Sequence, residues 1–144
     1  MLKAVVSRSG RVEIMKRLYR QGNLFLAQRR PELAAKQYQK YLAFYHQGWE
    51  AEPAVIADIY HNLGMIAEER QAIDEAIDCY QHALKHNAYH GMTWVFLAKL
   101  YLNRYEEEHR QSDRILGIEA LKEAERYKTG FPAVDFLKKR YAIA

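Results

Sequence analysis

The chain has 144 residues, 49% hydrophobic and 28% charged, which excludes a disordered polyelectrolyte and leaves enough material for a buried core. Seven glycines and three prolines supply few turns, which favours long helices over many short strands. The net charge of +4 is uneven: ten Lys/Arg stand against two Asp/Glu in residues 1–49, two against eight in 50–90, and ten against eight in 91–144.

In chain order, the N-terminal apolar run over residues 1–8 is too short for a secretory signal. No later segment approaches the roughly 18 to 20 apolar residues that cross a bilayer. A cytoplasmic protein without a membrane span is expected. A first helix pair is predicted over 15–48, with Leu18, Gly22 and Phe25 on its first helix and Ala34 and Tyr38 on its second. Pro31 suits the first turn of that second helix, where its missing N–H costs nothing. Residues 49–56, containing Trp49 and Pro53, separate this pair from the next.

The clearest pattern follows. Ile56, Ile59, Tyr60, Leu63, Ile66 and Ala67 recur at three- and four-residue steps, one face of a helix. After Glu69-Arg70-Gln71 a second face appears in Ile73, Ala76, Ile77, Tyr80 and Leu84. So short a connection makes the two helices antiparallel neighbours. Gly64 and Ala76 are small where they meet, and Tyr80 fills the space beyond. Cys79 has no second cysteine to pair with and reads as a reduced packing residue. A lone hairpin of this kind leaves apolar flanks and needs neighbours stacked on it.

A third pair is predicted over 91–132, with Trp94, Leu97, Ala98 and Tyr101 on its first helix and Ala120 and Ala124 on its second. The second-helix set arrives ten residues later than in the pair before it, and the extra residues are accommodated by lengthening both helices, in preference to a loop, because Tyr105-Glu-Glu-Glu-His-Arg lacks Gly and Pro. Ser112-Asp113 would make the turn and cap the second helix. Residues 133–142 read as a final helix whose Phe136, Leu137 and Tyr141 cover the end of the stack.

These residues resemble the tetratricopeptide repeat family, whose 34-residue unit sets an aromatic, Leu, Gly and aromatic against Ala, a large aromatic and Ala, with Pro at the exit. Tyr60, Leu63, Gly64, Ala76, Tyr80 and Ala83 occupy six of those places in 57–90, with departures at Ala67 and Ala88. In 91–132 the second-helix set arrives late, Ala124 and Tyr127 replace the aromatic and the second Ala, and Pro132 stands at the exit. The first unit departs at Gln21 and Tyr41. The resemblance implies an all-α fold of antiparallel helix-hairpin repeats, a tetratricopeptide-like α-solenoid of about three units with a C-terminal capping helix, in a single domain.

It also implies a concave groove lined by the first helix of each unit. By position the groove would present Lys16, Tyr19, Arg20 and Asn23, then Asp58, His61, Asn62 and Met65, then Met92, Val95, Phe96 and Lys99. One variety of the family clamps a C-terminal carboxylate with five groups. Asn23 and Asn62 keep two of those places, but Tyr19, Met92 and Phe96 replace the others, so charge-assisted recognition of a carboxylate is not expected. A groove polar and basic at one end and apolar at the other suits an amphipathic peptide or helix, unless the C-terminal helix covers Val95 and Phe96.

Chemistry is not expected elsewhere. His82, His86 and His90 stand four apart but lack converging ligands for zinc and read as surface histidines. Glu106-Glu107-Glu108-His109 reads as a solvated helix face, and no phosphate loop or nucleophile elbow occurs. The expectation is a noncatalytic module without cofactor or metal, an adaptor, scaffold or small chaperone with a protein or peptide partner. The charge asymmetry also allows head-to-tail self-association. The alternative is a helical-repeat nucleic-acid binder using the basic first third with Tyr19, Phe25, Tyr38, Tyr41 and Tyr45. It is disfavoured because most of those rings fall at packing positions.

Overall fold

The structure is a computed structural model describing residues 5–127 and 130–144. Residues 1–4, half of the run weighed above as a secretory signal, and residues 128–129 of the third predicted pair lie outside the described residues. The described residues form seven α-helices and no strand: α1 (Arg8–Ala27), α2 (Pro31–His46), α3 (Pro53–Glu69), α4 (Ile73–His86), α5 (Gly91–Glu108), α6 (Gln111–Tyr127) and α7 (Pro132–Arg140). The expected all-α architecture of antiparallel helix pairs closed by a C-terminal helix is therefore the one the chain adopts. Two compact units divide it, Met1–Ile59 and Tyr60–Ala144.

In the first unit α1 begins at Arg8, seven residues ahead of the predicted pair. Ser7 starts it: its backbone is extended and its Oγ accepts from the Gly10 N–H at 3.1 Å, satisfying a donor that the helix cannot. Arg29 takes a left-handed conformation (φ 58°) in the turn, and Pro31 opens α2. The two helices meet where Gly22 leaves no side chain under the Tyr38 ring. Tyr38 is fully buried, and its hydroxyl donates to Asn23 Oδ1 at 2.5 Å. Beyond α2, Trp49 stacks on Phe44 with centroids 4.1 Å apart. The predicted separator is shorter than expected, because Pro53 already opens α3.

The second unit repeats the seam. A Cβ on Gly64 would lie 2.5 Å from Tyr80 Cε1, so only glycine lets α3 and α4 come this close. Tyr80 is fully buried, and its hydroxyl donates to Glu68 Oε1 at 2.7 Å. Ala67, Ala76, Ile77, Leu97 and Tyr101 surround it. α5 and α6 run 18 and 17 residues, so the added residues lie in helices and His109-Arg110 alone connects them. His109 makes that turn in a left-handed conformation (φ 57°).

The turn is thus not at Ser112-Asp113. Asp113 lies in the first turn of α6, 2% exposed, and accepts from Arg104 Nη2 at 2.7 Å and Nε at 3.1 Å. A carboxylate there meets both a guanidinium and the positive end of the helix. Arg104 also reaches Asp74 on α4 at 3.1 Å, so one side chain ties α4, α5 and α6. Lower on the pair, Leu102 packs where a Cβ on Gly117 would fall 2.6 Å away.

α7 returns over α5 and α6. Val134 and Leu137 join Val95, Ala98, Leu102 and Leu121 in one core, and Tyr141 packs partly buried against it. Phe136 does not cover the stack as expected. It is 62% exposed, because it neighbours Leu137 on a short helix and only one of two adjacent residues can face inward.

Candidate functional site

In the first unit, Lys16, Arg20 and Asn23 are exposed on α1. The Tyr19 hydroxyl donates to Asp58 Oδ2 at 2.5 Å, and burial together with that bond holds its pKa above the ordinary phenol range. Lys16 and Tyr19 line a cleft of about 390 Å³ together with Val12, Met15 and Tyr41 and with Glu50, Glu52 and Val55. Burial, then the neighbouring Glu52 carboxylate, pushes the Tyr41 phenol up to about 12.

The charges of this unit are poorly matched. Arg8, paired with Glu50 at 3.0 Å, is its one cation with an acidic partner among the described residues. Lys16, Arg17, Arg20, Lys36 and Lys40 are all exposed and form no ion pair there. In the second unit seven cations hold an acid, so the imbalance belongs to the first unit alone.

In the second unit two predicted groove residues are not available to a guest. His61 is 7% exposed: its Nδ1 bonds the buried Thr93 hydroxyl at 2.9 Å, and its ring stacks on Phe96 at 5.1 Å. The same hydroxyl meets His90 Nδ1 at 2.7 Å. Val95 is 3% exposed, covered by α7 through Val134 and Leu137. Asn62 is half-buried, while Met65 and Met92 are open to solvent at 38% and 40%.

Phe96 and Lys99 come together with Asn103, Ala133 and Arg140, which the sequence did not single out, and with Phe136, expected there only as an end cap. Phe96, Lys99 and Asn103 of α5 face Ala133, Phe136 and Arg140 of α7 across a cleft of about 280 Å³. Lys99 lies over the Phe96 ring at 5.2 Å and reaches Glu68 at 3.0 Å. Arg140 pairs with Glu106 at 3.1 Å. The cleft is an apolar slot between two cations. Its volume suits one or two aliphatic side chains and is small for a drug-sized metabolite. A signal for it existed in Phe136, an aromatic beside Leu137 in a helix that had room to bury only one of them.

A wider depression of about 620 Å³ lies over Trp94, Leu97 and Tyr101 of α5, between Leu84 of α4 and Leu116 of α6. Its rim carries Lys85 and Lys122 against Glu119 and Glu123, so it selects no charge.

The histidines are packing residues more than surface ones. Tyr60 stacks on His82 at 5.0 Å and on His86 at 5.9 Å, and His90 belongs to the Thr93 bridge. An imidazole has apolar faces, which lets it line a helix seam. Among the described residues no three His, Cys, Asp or Glu converge as metal ligands, and no helix is long and apolar enough to cross a membrane. Burial, then Glu75 and Asp78, pushes the Cys79 thiol up to about 11, which leaves little thiolate at neutral pH.

No family model and no curated protein matches this chain in sequence. Its fold is similar to that in the crystal structure of MamA, with a TM-score of 0.65 over 94% of this chain and 77% of that one at 16% identity. At that identity the likeness is one of fold, and it agrees with a tetratricopeptide-like helical architecture.

Proposed function

We propose that the chain is a noncatalytic protein–protein interaction module, and that its second unit holds an apolar side chain of a partner segment in the cleft between α5 and α7. The observation that carries this reading is Phe136, 62% exposed at the edge of a slot lined by Phe96 and Leu137. A large ring left in water on a helix that already has Val134 and Leu137 for its own packing is surface a partner can cover. Met65 and Met92, exposed on the first helices of their pairs, add flexible apolar surface of the kind that accepts varied side chains. Lys99 and Arg140 beside the slot would orient polar flanks of a peptide or helix. Adaptor, scaffold and small chaperone are roles that this one activity serves, in the cytoplasm as expected from the sequence.

The test is affinity capture from a lysate of the source cells with the chain and its Phe136→Ala variant. Phe136 supports little of the core, so the variant should melt with the parent yet recover the partner about tenfold less well. Equal recovery by a folded Phe136→Ala protein would remove the cleft from the account. Phe96→Ala should also weaken capture, but that ring packs against His61 and Tyr80, so its effect mixes binding with stability.

A further inference from the structure

The first unit carries seven exposed cations, Lys16, Arg17, Arg20, Arg29, Arg30, Lys36 and Lys40, with no ion-pair partner among the described residues. Helical spacing puts Lys16, Arg17 and Arg20 in one sector of α1. Lys16 with Arg20, and Lys36 with Lys40, are like charges four residues apart, an arrangement that weakens a helix. The single acid of α1, Glu13, is exposed and forms no ion pair among the described residues either. The second unit pairs most of its cations, so this excess is a local property.

Two further observations narrow what would neutralise it. Lys16 also lines the 390 Å³ cleft with Val12, Met15 and Tyr41, so apolar surface adjoins the charge. The aromatic rings of this unit are already engaged. Tyr38 and Tyr41 are buried, Tyr19 bonds Asp58, Phe44 stacks on Trp49, and Arg30 lies over Phe25. Among the described residues no stacked ring platform of the kind that holds single-stranded bases stands beside Lys16 and Arg20. Glu50 and Glu52 also line the cleft and would repel a guest's carboxylates, which leaves the cations of α1 to receive them.

We propose that the first unit receives an acidic protein segment, its carboxylates on Lys16, Arg17 and Arg20 and one apolar side chain in the cleft beside Lys16. This rests on the reading of the chain as an interaction module, and assigns the chemistry of what that module takes.

The experiment is fluorescence anisotropy on the full chain with three labelled probes: a peptide of about a dozen residues alternating glutamate pairs with leucine, its lysine counterpart, and a single-stranded oligonucleotide of mixed sequence. The acidic peptide should bind at least about tenfold more tightly than the lysine peptide at about 0.15 M salt, and more weakly as salt rises. The charge-reversed Lys16→Glu/Arg17→Glu/Arg20→Glu chain should lose at least about tenfold of that affinity. A milder Lys16→Gln/Arg20→Gln chain should lose part of it and covers the case in which reversal disturbs folding.

Equal binding of the two peptides, or affinity unchanged in both variants, overturns the proposal. Tighter binding of the oligonucleotide overturns it in favour of a phosphate backbone. Loss of the acidic preference with Phe136-dependent capture intact removes only this inference, whereas loss of that capture removes the reading beneath it.

Discussion

Gly64→Ala is the perturbation with the most telling sign. Replacing a glycine by alanine in a helix interior ordinarily stabilises by about 1 kcal/mol. Here the added Cβ would sit 2.5, 2.7 and 3.0 Å from Cε1, Cδ1 and Cζ of Tyr80, while carbons in contact settle at about 3.5–4.0 Å. The ring would have to retreat by roughly 1 Å, yet it is fully buried, tied to Glu68 at 2.7 Å and edge-on to Phe96 at 5.9 Å. Overpacking of this kind costs about 1–3 kcal/mol, so the net expectation is a loss of about 1 kcal/mol. Urea unfolding followed by far-UV circular dichroism would read it as a lower midpoint at unchanged slope. In a Tyr80→Leu background the clash is gone, and Gly64→Ala should then be neutral or stabilising, a coupling that a double-mutant cycle isolates. A stabilised Gly64→Ala single variant would refute the close seam between α3 and α4.

Other expectations follow from the same packing. Arg104→Met leaves the 2%-exposed Asp113 with only Arg110, at 3.2 Å, and should cost about 3 kcal/mol in unfolding experiments, with Arg104→Lys recovering part of it. A loss below about 0.5 kcal/mol would mean that the buried carboxylate is not balanced as described. Burial raises Cys79 to about 11 and Tyr41 to about 12, so both hold their protons more tightly folded than unfolded. Their contribution is complete below about pH 9 and is lost as pH climbs through 9 to 12. The urea midpoint should fall over that range, and a flat or rising profile would contradict the burial. Cys79 should accordingly react slowly with a disulfide reagent at neutral pH unless the protein is denatured.

Much of the fold was legible because its signal is local. Gly22 with Tyr38, and Gly64 with Tyr80, stand 16 residues apart and mark the same small-against-large contact in two hairpins. What escaped depends on partners far along the chain. The first residues of α1 lack a clean apolar period, and only the Ser7 cap marks where it starts. The Gly117–Leu102 contact lies outside the 34-residue pattern because the lengthened pair shifts its register. His61 and Val95 occupy groove positions by spacing, yet Thr93, 32 residues away, draws one inward and α7 covers the other. Between Phe136 and Leu137 the sequence offers no preference, since both are large and apolar. Their choice is made by the core that α7 meets, and it decides which ring faces solvent at the candidate site.

The most direct test of the account places a photo-crosslinking phenylalanine analogue at position 136 and, separately, at Ile115, which is similarly exposed at 56% on α6. Irradiation in source-cell lysate should join position 136, and not position 115, to a discrete protein partner, and excess unlabelled chain should compete it away. Crosslinks that are absent at 136, or equal at the two positions, would contradict a partner held between α5 and α7.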